Sequence, residues 1–282
     1  MKRIDIFTFG IPLSLSFILA GIPAFALAQE IEVTGSTAPL ISLGYFLSSL
    51  GFFCATGMMI VAVKQFGRSP FADALFHFIV GTAVFFAVTM FETLGPDFFK
   101  ISEESMDFWW HLMFFIAMIS YFKGVSALVS IASDDPASSG VPLTASLKAS
   151  GGLLWGGIVT ALLVGIFSFA HIAEPLSRAY LDSPLGTFGL HHFLACALAG
   201  AVGWYLFQSR KNLGLIGSSI ATPFLVAIWA FSLQHLWELQ FESWRTISVS
   251  PELGEGGEKI FLIIAAFGVT LAAYRLKNFS KQ

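Results

Sequence analysis

Seven apolar runs dominate the sequence, each close to the ~20 residues a helix needs to cross the hydrocarbon of a bilayer. They cover residues 40–63, 71–93, 108–131, 151–172, 187–207, 214–237 and 259–275. Lipid offers no partner to a bare N–H or C=O, so each run must be helical. The alternating pattern of a transmembrane β-barrel is absent. A further apolar stretch, Phe7 to Leu27, lies between Met1-Lys2-Arg3 and Ala26-Leu27-Ala28. A positive start, an apolar middle and an A-x-A close describe a secretory signal peptide over 1–28. Its apolar part exceeds the ~7–15 residues usual in a signal, so a retained first span is the alternative. The expected fold is therefore all-α: a polytopic bundle of seven spans after a signal peptide, or eight if it is not cleaved.

Composition narrows the class. Charged residues make up 12% and hydrophobic residues 56%, with a mean hydropathy of +0.77. Soluble domains carry about 25% charged residues, so a disordered chain or an ordinary soluble enzyme is excluded. A net charge of −3 excludes a generally basic nucleic-acid surface and leaves the lipid bilayer as the first partner. Cys54 and Cys196 both fall inside apolar runs, which argues against a disulfide framework.

The connecting charges set an orientation. Lys64, Arg68, Lys148, Arg210, Lys211, Arg275, Lys277 and Lys281 fall on one side, and Lys100, Arg178, Arg245 and Lys259 on the other. The richer side is expected in the cytoplasm, giving an outer N-terminus and an inner C-terminus in a bacterial inner membrane. The Ser-, Pro- and Ala-rich stretch 133–150 reads as a flexible inner connection. It suggests a four-helix part over 29–172 and a three-helix part over 173–282.

Ionisable groups at membrane depth are costly, and each is a functional suspect. Glu92, His111, His171, Glu174, His191, His192, His235 and Glu238 all fall near the outer ends of the runs. His171 and Glu174 are three residues apart, as are His235 and Glu238, so each pair shares a helical face. Imidazole with carboxylate suits zinc, iron or copper, and paired imidazoles suit a haem. The competing reading places these groups at the membrane interface, where Trp109, Trp110, Trp204, Trp237 and Trp244 mark aromatic belts. No His-Glu-x-x-His, phosphate-binding loop or G-x-S-x-G elbow is present. Ala199, Gly200 and Gly203 form a small-residue face suited to close helix packing, as do Gly151, Gly152, Gly156 and Gly157.

The stretch from about 39 to 164 carries a second kind of signal. Leu40-Ile41-Ser42-Leu43-Gly44-Tyr45 opens a span that closes with Val63-Lys64-Gln65-Phe66-Gly67. Ile79-Val80-Gly81-Thr82-Ala83 leads to Thr89-Met90-Phe91-Glu92-Thr93-Leu94-Gly95, and Phe122-Lys123-Gly124-Val125-Ser126-Ala127-Leu128 ends the third span. Lys148-Ala149-Ser150-Gly151-Gly152 opens the fourth. In order and spacing this resembles the IcmC/DotE/TraQ group of type IVB secretion and conjugation proteins. The resemblance implies a non-enzymatic inner-membrane subunit that packs with other membrane subunits, with no catalytic residue and no cofactor. The residues themselves support a different expectation, a membrane metalloprotein or haem protein (an oxidoreductase or lipid hydrolase) with a His/Glu site at the outer leaflet.

Overall fold

A backbone in hydrocarbon can bond only to itself, and the long segments of this chain are helical throughout. The computed structural model describes residues 38–66, 69–99, 101–132, 174–214 and 217–279. Its long helices are α1 (Ala38–Phe66), α2 (Pro70–Phe99), α3 (Glu103–Ala132), α4 (Leu190–Ser209), α5 (Thr222–Glu238) and α6 (Pro251–Phe279). A π-helical turn precedes α5 at Gly217–Ala221 and another extends it at Leu239–Ser243. Among the described residues, six helices are long and apolar enough to cross a membrane, and none is strand. The chain is thus a multi-pass membrane helix bundle. The expected signal peptide, the 133–150 connection, the 151–172 run and its glycines lie outside the described residues.

Each helix packs between two neighbours: α1 on α2, α2 on α3, α3 on α4, α4 on α5, α5 on α6, and α6 back on α1. The bundle closes as a ring, with helices from 29–172 and from 173–282 sharing one core. Aromatic rings fill its centre. Phe85 stacks on Phe231 at 4.2 Å and 10°, and Phe52 stacks on Phe85 at 5.3 Å. Phe114 meets Phe231 edge-on at 5.8 Å. Such pairs contribute ~0.5–1.5 kcal/mol each beyond their buried area. In lipid, packing rather than water exclusion holds helices together, so this interlock matters more than hydrophobicity. Ser48, Thr56, Thr82 and Thr89 each donate to the carbonyl one turn back in their own helix.

Small residues set the helix spacing. The predicted face on α4 packs within the chain, with Gly203 against Ile228 and Trp229 and Gly200 against Ser232. On α2, a Cβ at Gly81 would come within 2.5 Å of the Tyr121 ring and 3.0 Å of the Ala117 carbonyl.

The ends of α3 fix how the chain runs. Arg178 pairs with Glu104 at 3.2 Å and with Glu174 at 3.1 Å, placing Glu174 beside the start of α3. Ala132 lies at the other end of that helix, ~42 Å from Glu104 at ~1.5 Å rise per residue. The two residues that flank 133–173 therefore sit at opposite ends of the bundle.

Gly81→Ala should force α2 and α3 apart and cost about 1–3 kcal/mol. Gly57→Ala meets open space and should be neutral or slightly stabilising. Thermal unfolding in detergent compares the two.

Candidate metal centre

Three helices bring their imidazoles to one point inside the ring. His111 stands two turns into α3, His192 opens α4, and His235 and Glu238 lie one turn apart near the end of α5. All four are buried, His235 completely, and one ligand atom from each lies within 4.8 Å of the others. His111 Nε2 is 3.1 Å from His192 Nδ1, His192 Nδ1 is 3.0 Å from Glu238 Oε2, and His235 Nδ1 is 2.5 Å from the same oxygen. A tetrahedral ion with Zn–N bonds of ~2.0–2.1 Å spaces its ligand atoms by ~3.3 Å, close to these separations.

Groups behind the ligands hold them in place. His111 Nδ1 is 2.9 Å from the Asp107 carbonyl and 3.1 Å from the Asp107 carboxylate, which leaves Nε2 turned to the cluster. His192 Nε2 lies 3.3 Å from Glu242. Gln234 Nε2 donates to Glu238 Oε1 at 2.9 Å, leaving Oε2 for the imidazoles. Carboxylates and amides of this kind orient metal-bound histidines and fix which ring nitrogen is free. Among the described residues, buried His235 Nε2 has no hydrogen-bond partner, an unusual state for a polar atom.

Local backbone geometry delivers the α4 histidines. Gly189 adopts φ +76° as the N-cap of α4, and a Cβ there would come within 2.2 Å of Ser243 Oγ. Glycine meets both demands, the left-handed turn and the close approach of the α5 extension. That turn sets His191 and His192 at the first positions facing α3 and α5.

Below the cluster the core is apolar. Phe114 lies 4.2 Å from the His235 ring, followed by the Phe85–Phe231 stack. A cavity of about 30 Å³ lies at the opposite end of the bundle and is lined only by apolar residues such as Met59, Phe78, Phe224 and Leu276. It has no polar link to the histidines. The four imidazoles of His111, His191, His192 and His235 touch ring to ring at 4.0–5.3 Å along the contacts 191–192, 111–191, 111–192 and 111–235. No slot for a porphyrin separates them, so the cluster suits a bare ion and not a haem.

The sequence candidates divide accordingly. His111, His192, His235 and Glu238 form the cluster. His191 joins His111 and Asp107 in an adjoining group nearer the rim. Glu92 is buried on α2 within Coulombic reach of His111, Glu238 and Lys259 but outside both ligand groups. Glu174 pairs with Arg178 at the exposed rim. His171 lies outside the described residues. Asp107, Gln234 and Glu242 were not among the sequence candidates. Their signal was one-turn spacing to a candidate: Asp107 to His111, Gln234 to Glu238, and Glu238 to Glu242.

A separate ion pair lies beside the site. Lys259 Nζ donates to Glu258 at 2.6 Å and to the Tyr45 hydroxyl at 2.7 Å, with both charged side chains buried. The Lys259 stem packs on Gly44 near the start of α1, where a Cβ would approach it to 2.8 Å.

Comparison with protein-family models, with curated proteins and with solved structures finds no match to this chain.

Lys259→Met should destabilise the bundle by about 3–5 kcal/mol, because it leaves Glu258 buried and unpaired. Adding Glu258→Gln should recover most of the loss. Unfolding midpoints of the single and double variants measure the difference.

Proposed function

We propose that this chain is a bacterial inner-membrane metalloprotein that holds a divalent transition ion, zinc in first place, near the outer ends of its helices. The reading rests on the convergence of His111, His192, His235 and Glu238 from α3, α4 and α5. Three imidazoles and a carboxylate are a borderline-soft donor set that suits zinc, and also iron or copper. The metal further explains why a carboxylate and three imidazoles are buried together in an apolar bundle, since a cation supplies the charge that Glu238 needs there. Four protein ligands leave no open position, so this is a site that holds an ion and ties three helices together.

Sidedness follows from the sorting of lysine and arginine, which puts the histidine end outside and the carboxyl tail inside. The opposed positions of Ala132 and Glu174 support a seventh crossing at 151–172. The subunit role implied by the resemblance over 39–164 is compatible with such a site, because the metal sits inside the ring and leaves the outer helix faces to neighbours. Co-purification after gentle solubilisation tests that role separately.

After purification in mild detergent and dialysis, the protein should retain about one zinc per chain, read by elemental analysis. His235→Ala and Glu238→Ala should lose it. A chelator should lower the melting temperature of the wild type and leave the variants unmoved. Wild-type protein with no bound transition ion, and no response to chelator or added zinc, would overturn the proposal.

A further inference from the structure

Beside the buried cluster lies a second set of donors that shares one ring with it. Asp107, His111 and His191 each offer a ligand atom within 4.8 Å of the others. Asp107 Oδ1 is 3.1 Å from His111 Nδ1, and Asp107 Oδ2 is 3.9 Å from His191 Nε2. The rings of His111 and His191 stand nearly perpendicular at 4.5 Å. Tyr180, from the 174–181 helix, places its hydroxyl 3.1 Å from His191 Nδ1. When Nδ1–H donates to that oxygen, Nε2 keeps its lone pair and faces Asp107. His111 thus turns Nε2 to the buried cluster and Nδ1 to this outer one.

We propose that Asp107, His111 and His191 form a second metal position, so that the centre holds two divalent ions bridged by the His111 ring. The proposal rests on the buried site being a metal site. The outer ion takes His111 Nδ1 in place of its proton, which leaves to solvent, and the resulting imidazolate binds one ion at each nitrogen. With Zn–N bonds of ~2.0–2.1 Å on both sides of the ring, the ions stand ~6 Å apart. Charge favours the pair. Asp107, Glu238 and Glu242 line the two positions, while Lys259 is engaged by Glu258. One divalent ion leaves these carboxylates net negative, and a second, with the imidazolate counted, brings the group to neutral in a low-dielectric setting.

The two positions differ in character. The inner one has four buried protein ligands. The outer one has three, and its Asp107 side chain is 34% exposed, so a water or another small ligand completes the shell from the rim. The outer ion is accordingly the exchangeable one, and its ligand set, two histidines and a carboxylate, takes zinc, copper or iron.

Equilibrium dialysis against free zinc, followed by elemental analysis, tests the proposal. Wild-type protein should bind about two ions per chain. His191→Ala should bind about one ion and keep the chelator-sensitive melting temperature, and the shape-preserving Asp107→Asn should also lose the outer ion. Saturating the outer position of zinc-retaining wild type in weak buffer should release about one proton more per chain than the same step in Asp107→Asn or His191→Ala. A wild-type stoichiometry of one, unchanged in these variants, overturns the second position while leaving the buried site standing. Two ions in the wild type and also in both variants overturns it as well, because the second ion then sits elsewhere. No bound zinc in any form removes the buried site and the outer one together.

Discussion

A carboxylate held among three imidazoles, inside a bundle otherwise filled with phenyl rings, is the condition to which the rest of this structure is fitted. Among the described residues, the ion-pair partners of Glu238 are histidines and not lysine or arginine. Its oxygens are met by Gln234, His192 and His235. In so apolar a setting a negative charge persists only if positive charge comes to it, as protons on the histidines or as a metal ion. The second layer serves that end. Asp107 and Glu242 each restrain one imidazole, and Gln234 restrains the carboxylate, so the donor atoms keep their aim whether or not an ion is bound.

The ring of helices makes this arrangement rigid. α3, α4 and α5 are successive members of the wall, and the Phe85–Phe231–Phe114 interlock ties α3 and α5 to α2 directly beneath the histidines. The Lys259–Glu258–Tyr45 group does the same on the far wall, tying α6 to α1. Both polar groups lie at one end of the bundle and the apolar cavity at the other, so the molecule is polarised along its axis.

Much of the architecture was legible in the amino-acid sequence, because each apolar run obeys a single local rule. The runs at 40–63 and 71–93 correspond to α1 and α2, which reach a few residues further at each end. At α6 the helix starts well before its apolar run, expected from residue 259 and observed from Pro251. There the charged pair Glu258–Lys259 interrupts the apolar run but not the helix, since each neutralises the other with help from Tyr45. The candidate site was half legible. Depth along a helix is a one-dimensional property, and it selected His111, His191, His192, His235 and Glu238 together. Convergence depends on rotation and neighbour choice, which no single run encodes. For that reason Glu174, at similar depth, is a rim residue paired with Arg178, and Asp107, one turn from His111, joins the site only through the way its helix is rotated.

The meeting of α3, α4 and α5 at one cluster has a consequence for biogenesis. The side chains from α3 emerge from the ribosome well before those from α4 and α5, so the His/Glu cluster can close only after the later helices have been made. An insertion error that inverted α4 and α5 relative to α3 would leave His111 at one face of the bilayer and His192 at the other, and the cluster could not form. The closed cluster is thus a record that these three helices took the right relative orientation, and a copy with α4 or α5 alone inverted would leave Glu238 without its His192 partner.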